Sequence, residues 1–290
     1  MSALADTAPK KTDRTPGVFA RLLRHPAGMI GLTIILLVVL LAATAGWLFP
    51  RNPLHMVAPP EIWPFTDSRF PLGTDSTGRN MLAMIAHGAR TALAVGLIAT
   101  LVSTFIGVLV GALAGYFGGW VDNALMRVTE IFQTVPNLIF VMAIVSVAGA
   151  NITTVVLAIG VVSWSSMARI VRAEFMSLRE REFVAAARTT GMSNTRIVLT
   201  EILPNAFSAV IVYASFLVAA AILFEASLAF LGLSDPDIAS WGRLIGEGRM
   251  TLRTSWFIAA IPGLAILLTV LALNLLGDAL NDVLNPRLKK

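Results

Sequence analysis

Long stretches without a single charged side chain constrain the fold of this chain more than any other feature. They cover residues 27–50, 91–121, 131–168, 202–224 and 254–277. A helix that crosses about 30 Å of hydrocarbon needs roughly 20 apolar residues. Every stretch reaches that length, and 131–168 is too long for one crossing. The sequence therefore predicts an all-α polytopic membrane protein.

Glycines indicate where the predicted spans end or divide. The glycine-rich segment 115–119 suggests that the second span ends near Leu113. The Gly149-Ala150-Asn151 turn divides 131–168 into two shorter spans, and the span that begins at 202 is expected to continue to about Phe230. The total is six transmembrane helices, so both termini lie on the same side of the membrane.

Lysine and arginine indicate which side that is. Positively charged residues concentrate in cytoplasmic segments of membrane proteins. With cytoplasmic termini, the inner segments hold 15 of these residues and the outer segments hold 7. The inner segments are then 1–26, 116–130, 169–201 and 278–290, and the outer ones 51–90 and 231–254. All four lysines lie in the terminal tails and the arginines flank apolar runs, a pattern of membrane orientation and not of nucleic-acid binding.

Composition excludes several kinds of site. Hydrophobic residues make up 56% of the 290 residues and charged residues 13%, so the chain needs a lipid bilayer to cover its apolar surface. It has no cysteine, which excludes disulfides, thiolate metal sites and thiol nucleophiles. The three histidines are scattered, and no metal site is expected.

One polar segment, residues 169–205, interrupts the apolar pattern. Phe183, Ala186 and Ala187 can share one face of a helix there. Gly191 suits a helix stop, because glycine adopts the left-handed conformation readily. Ser193 is a candidate N-cap for a second short helix, and Pro204 marks entry into the next span. The segment is predicted to form a helix–turn–helix projection at the cytoplasmic surface.

This segment resembles the EAA loop of type I ABC importer permeases. The resemblance rests on Ala185-Ala186-Ala187, on Gly191 after three further residues, and on the distal Leu203-Pro204. The order of residues from Glu182 is similar to the dipeptide/oligopeptide/nickel branch. Two positions differ from the pattern, since Ala185 replaces the glutamate that names the motif and Glu201 replaces an isoleucine.

Further blocks extend the resemblance over residues 20–290, and they are similar to C-type subunits of that branch. Asn80 and His87 stand where Asp and Tyr are commoner. The matching blocks are Leu72 to Asn80, Gly88-Ala89-Arg90, Ser240-Trp241-Gly242, Glu247-Gly248-Arg249, Pro262-Gly263-Leu264, Asn274 to Asp278, and Pro286-Arg287-Leu288.

The resemblance implies a non-catalytic subunit that forms half of a translocation pathway in a bacterial or archaeal inner membrane. Its expected partners are a second permease in a heterodimer, two ABC ATPases that bind the ATP and Mg²⁺, and an extracytoplasmic solute-binding protein. No cofactor is expected on this chain, which lacks a phosphate-binding Gly-x-x-x-x-Gly-Lys-Ser/Thr loop. The residues expected to couple to the ATPase are Glu182, Ala185, Ala186, Ala187, Arg188, Gly191, Ser193, Leu203 and Pro204.

The same resemblance suggests a division of the chain. Residues 1–26 form a cytoplasmic tail, 27–50 a first transmembrane anchor, and 51–90 an extracytoplasmic connection. A core permease domain, 91–280, contains five transmembrane helices and the 169–205 loop. The last segment, 281–290, is a cytoplasmic C-terminal tail.

Polar residues in or beside the spans carry further expectations. Glu225 either lines the solute path, pairs with the partner permease, or reaches interfacial water from the outer end of a tilted helix. Asn274 is a second candidate for the pathway or the subunit interface, with a hydrogen bond between helices as the alternative. Trp241, Glu247 and Arg249 are candidate contacts for the binding protein, although a tryptophan at a span end is ordinarily an interfacial anchor.

Two other functions compete with the importer. A secondary transporter without an ATPase would leave the polar loop unexplained, and no internal repeat supports it. A membrane enzyme has no paired carboxylates or histidine cluster to support it. The resemblance implies a di- or oligopeptide as the leading solute, while nickel chelates, glutathione and other small solutes are carried by similar permeases.

Overall fold

The computed structural model describes residues 18–284, which are almost entirely helical. A six-residue π-helical segment, Ile197–Ile202, leads into the helix that begins at Leu203, and a 3₁₀ turn, Arg249–Thr251, follows the helix that ends at Gly248. The helices are α1 (Val18–Arg24), α2 (Pro26–Leu48), α3 (Met81–Phe117), α4 (Gly119–Thr134), α5 (Asn137–Ala148), α6 (Ile152–Arg179), α7 (Glu182–Thr189), α8 (Asn194–Arg196), α9 (Leu203–Phe230), α10 (Trp241–Gly248) and α11 (Phe257–Leu284). Most of the two predicted tails, and the Pro286-Arg287-Leu288 block, lie outside the described residues.

Five helical segments are long and apolar enough to cross a membrane: α2, α3, α6, the continuous piece 194–230, and α11. The pair α4 and α5 makes a sixth only if both are counted together, because they meet at 82°. The predicted all-α polytopic fold is confirmed, but its third span is a bent pair and not one straight helix. Pro136 explains the bend, since it has no N–H to donate, and Val135 before it is extended.

The helices that contain the second and fourth predicted spans are longer than the uncharged stretches. Helix α3 begins at Met81, ten residues before the expected Thr91, because the Asn80 side chain caps it by accepting from the backbone N–H of Leu82 at 3.0 Å. Helix α6 continues past Ala168 to Arg179. The charge at Arg172 is tolerated there because its guanidinium pairs with Asp122 of α4, at 2.6 Å for one of the two contacts.

Helices α3 and α6 approach each other along a stripe of glycines. Gly107, Gly111 and Gly115 are spaced four residues apart on α3, so they share one face. A Cβ atom at Gly111 would lie 2.4 Å from the carbonyl oxygen of Ala168, a distance that real Cβ atoms essentially never show. The missing side chains therefore let the two backbones pack directly, as small residues do between membrane helices.

The bundle has two ends that differ in structure. The end that carries residues 180–202 is named the loop end; α2 and α9 begin there, and α3, α6 and α11 end there. The opposite end, named the far end, carries residues 49–80 and 231–256. The far-end segment 49–80 is held by turns and two isolated bridges, Met56 with Arg79 and Thr74 with Asn80.

Candidate functional site

Helix α7 lies against the loop end with one face buried and one exposed. Val184 and Ala187 are buried in a cluster that includes Tyr116, Ile197 and Ile202. Glu182, Ala185, Ala186 and Thr189 are exposed on the other side. The predicted face of Phe183, Ala186 and Ala187 is therefore wrong. Val184 is buried together with Ala187, whereas Phe183 remains 37% exposed.

Gly191 ends α7 in the predicted way. Its φ is +79°, in the left-handed region that glycine adopts without a steric penalty. The N–H groups of Gly191 and Met192 donate to the carbonyl oxygens of Arg188 at 3.1 Å and Ala187 at 3.2 Å. These bonds satisfy carbonyls at the end of the helix, so the chain turns sharply without leaving them unpaired.

The second predicted short helix takes a different form. Ser193 stands at the N-cap of α8, but its side chain makes no capping hydrogen bond, and α8 has only three residues. The π-helical segment that follows leads directly into α9, where Pro204 lies in the first turn. The N–H of Leu203 donates to the carbonyl oxygen of Val198, five residues back. This wider turn accommodates Pro204, which has no N–H and a ring that crowds a normal turn.

Arg179, Tyr116 and Asn194 attach this loop to the bundle, and the sequence did not indicate these contacts. The Arg179 guanidinium donates to the carbonyl oxygens of Gly115 at 3.1 Å and Tyr116 at 3.2 Å, at the C-terminus of α3. The Tyr116 hydroxyl donates to Asn194 Oδ1 at 2.7 Å, and the Arg188 guanidinium lies 5.9 Å from the centre of the Tyr116 ring. No local pattern marked Tyr116 or Asn194, because they are 78 residues apart in the chain.

The structure thus brings the predicted coupling residues together at the loop end. Those on α7 and in its turn form one continuous segment, and Leu203 and Pro204 follow where α9 begins. The set comprises Glu182, Ala185, Ala186, Ala187, Arg188, Gly191, Ser193, Leu203 and Pro204. Of these, Ala187 is buried and Leu203 is half-buried, so the other seven supply the exposed surface.

Trp241 at the far end is not a surface residue. It is 2% exposed, and its indole N–H donates to the carbonyl oxygen of Ile85 at 2.9 Å. Its ring lies so close to Gly88 that a Cβ there would be 2.6 Å away. The predicted contact between Trp241 and a binding protein is therefore wrong, because this side chain fixes α10 against α3.

Glu247 belongs to an ion-pair network at the far end. It accepts from Arg243 at 2.9 Å and from Arg79, which also pairs with the fully buried Asp75. The network ties residues 49–80 to α10. Arg249 differs, since it is exposed and lies 5.3 Å from the centre of the Phe230 ring. Arg249 is thus the most accessible of the three predicted contacts.

Glu225 is 4% exposed and lies inside the chain near the far end of α9. It lines a small cavity together with Thr91, Asp235 and Ser240. This placement favours a role within the chain over the predicted roles in the pathway or at a subunit interface. Asn274 is half-buried on α11. Within residues 18–284, no three His, Asp or Glu side chains are grouped as a metal would require.

Comparison with known proteins agrees with this architecture. Residues 107–290 match the family described as binding-protein-dependent transport system inner membrane component, and residues 17–61 match the N-terminal transmembrane domain of oligopeptide transport permease C. The oligopeptide transport system permease protein OppC of Escherichia coli (strain K12) is 45% identical over 225 residues, covering 77% of this chain and 74% of that protein. The di/tripeptide transport system permease protein DppC of Pseudomonas aeruginosa (strain UCBPP-PA14) is 36% identical, covering 91% and 90%.

Solved structures show the same fold at lower sequence identity. A chain of the inward-facing MetNI methionine ABC transporter superposes with a TM-score of 0.59 at 17% identity, covering 71% of this chain and 98% of that chain. An amino acid ABC transporter with histidines gives a TM-score of 0.52, also at 17% identity, covering 67% and 91%. The helical bundle, its loop at residues 180–202 and the match over residues 107–290 together place this chain in the family of binding-protein-dependent transport system inner membrane components.

Proposed function

We propose that this chain is the permease subunit of an ATP-driven importer of di- or oligopeptides, and that it forms half of the translocation pathway. Its family and the names of its relatives support this proposal. The chain itself is a multi-pass protein of the inner membrane. A second permease completes the pathway, two partner ATPases bind and hydrolyse ATP with Mg²⁺, and an extracytoplasmic binding protein delivers the peptide.

The loop end faces the cytoplasm in this proposal, and α7 is the docking element for a partner ATPase. The observation that carries the assignment is the exposed face of α7, where Ala185 and Ala186 leave the helix backbone open to close approach. Glu182 and Thr189 flank these alanines on the same face. Such a face suits insertion into a groove on another protein, since small side chains allow two backbones to approach closely.

The buried face of α7 explains how movement of an ATPase reaches the membrane helices. Val184 and Ala187 contact the cluster that contains the ends of α3, α6 and α9. Arg179 and Tyr116 add hydrogen bonds between the loop and the end of α3. A displacement of α7 therefore displaces three spanning helices together, and rigid-body tilting exchanges outward and inward access.

One substitution tests the docking surface directly. Ala186→Arg places a long charged side chain on the exposed face of α7 while keeping high helix propensity. We expect loss of ATPase copurification and of peptide uptake, with normal membrane insertion. Ala148→Arg is the matched control, because Ala148 is also exposed and lies at the last residue of α5 near the far end. Normal ATPase recovery with Ala186→Arg would overturn the docking assignment.

The orientation of the loop has its own test. The chain has no cysteine, so a single Thr189→Cys substitution gives one labelling site on the exposed face of α7. With the chain produced without its partner ATPases, so that this face of α7 is uncovered, we expect labelling by a membrane-impermeant maleimide in inside-out vesicles and protection in intact cells. Labelling in intact cells would contradict a cytoplasmic loop, and uptake that continues without ATP would favour the secondary transporter.

A further inference from the structure

Two adjoining cavities open between the helices at the loop end. The larger has a volume of about 680 Å³ and the smaller about 360 Å³. Ile170 of α6 and Tyr213 of α9 line both, so the two cavities adjoin along these helices. The combined feature is named the α6–α9 groove. Each volume lies in the range of roughly 300–1,000 Å³ that is typical of small-ligand sites.

The lining of the groove is mixed, with charged and polar side chains beside apolar ones. Arg169 and Glu174 contribute opposite charges from α6, and Arg181 lies just beyond the end of α6. Asn205, Tyr213 and Asn281 add polar groups. In the proposed orientation these charges lie at the cytoplasmic end of the bundle, where a solute leaves the pathway.

Among the described residues, no opposite charge neutralises Arg169 or Glu174 on α6. Arg172, between them in sequence, pairs with Asp122, but within residues 18–284 neither Arg169 nor Glu174 belongs to an ion pair. The Arg169 guanidinium donates to the neutral side chain of Gln133 at 2.5 Å. Both charges therefore remain available to a ligand in the groove.

We propose that the α6–α9 groove contacts the charged termini of a peptide as it leaves the pathway, with Arg169 meeting the carboxylate and Glu174 the ammonium group. The inference rests on the proposed function and adds where, and through which groups, this chain meets its solute. Arg169 and Glu174 are five positions apart on α6, which is about 7.5 Å along the helix axis and about 140° around it, so their charged groups lie roughly 13 Å apart at opposite edges of the groove. An extended peptide of about four residues spans that distance, so a zwitterionic oligopeptide of this size can reach both.

Photocrosslinking tests whether peptide enters the groove. A benzoylphenylalanine at Ala173, which is exposed and lines the smaller cavity, is placed in the complete complex reconstituted with its binding protein. Leu37 of α2 is the control position, since it is 61% exposed and lies in an uncharged stretch. We expect a radiolabelled peptide to crosslink at 173 during ATP turnover and not at 37. Crosslinking from 173 only to another permease subunit would assign the groove to a subunit interface and overturn the proposal.

Charge removal tests the two named residues. Arg169→Gln and Glu174→Gln each remove one charge-assisted contact, so we expect peptide turnover to fall about three- to ten-fold. ATPase stimulation by the loaded binding protein should persist, because α7 is unchanged. Arg127→Gln is the control, as Arg127 lies in an exposed pair with Glu130. The peptides are first matched for affinity to the binding protein by direct titration.

The outcomes separate this inference from the function on which it rests. Unchanged turnover in both glutamine variants would refute the role of Arg169 and Glu174 while leaving the importer intact. A wild-type complex that hydrolyses ATP but moves no peptide would instead overturn the proposed solute, and the groove assignment with it.

Discussion

Replacement of Gly111 by alanine should weaken the contact between α3 and α6. The added Cβ would lie 2.4 Å from the Ala168 carbonyl oxygen, whereas ordinary contact begins at 3.4 Å. The two helices must therefore separate by about 1 Å, and a gap of that size forfeits a quarter to a half of the dispersion energy at each affected contact. Overpacking of this kind costs about 1–3 kcal/mol.

The control for this prediction is Gly263→Ala in α11, where a Cβ would meet nothing within 4 Å. Both substitutions gain about 1 kcal/mol of helix propensity, so the difference between them isolates the packing cost. We expect Gly111→Ala to be less stable than Gly263→Ala by about 1–3 kcal/mol, a difference of several degrees in Tm. Thermal unfolding of the purified chain in detergent measures it. Equal stabilisation by both alanines would refute direct backbone packing at Gly111.

Two further substitutions test the far end by the same unfolding measurement. Arg79→Met leaves the fully buried Asp75 without its charged partner and should lower the free energy of unfolding by about 3–5 kcal/mol. Arg69→Met, in an exposed pair, is the control and should change that free energy little. Equal effects would contradict a structural role for the buried pair. Trp241→Phe removes the indole donor and should cost about 1–3 kcal/mol. Trp47→Phe, at a side chain 92% exposed, is its control, and a stable Trp241→Phe would contradict the anchoring role.

Charge-free stretches predicted the existence of the spanning helices but not their limits. A charged residue was taken as the end of a span, yet α6 continues to Arg179 because Arg172 finds a carboxylate on α4. Helix α3 starts early for a different reason, since Asn80 supplies the cap that defines its first turn. The ion pair joins residues 50 positions apart, which no single stretch of sequence contains, whereas the cap is local and was missed because the absence of charge does not indicate it.

In the loop as well, features set by neighbouring residues could be predicted from the sequence, and features set by distant residues could not. Gly191 was predictable because a left-handed turn depends on one residue and its immediate neighbours. The buried face of α7 was not, because Val184 is buried by residues from α3 and from the segment before α9. Trp241 was predicted to contact the binding protein, but it is buried, because the absence of a side chain at Gly88 leaves room for its ring.

The uninterrupted helical piece from Asn194 to Phe230 has a geometric consequence. Its 37 residues form a rod about 55 Å long that starts beside α7 and finishes at the far end. Rocking such a rod by roughly 10° about its middle moves its two tips about 5 Å in opposite directions. The pathway beside this helix then widens at one membrane face as it narrows at the other, and no further element is needed to connect the two movements. The opposite movement of the two tips is a property of one stiff helix, because the π-helical segment continues the helix past Pro204 without a break.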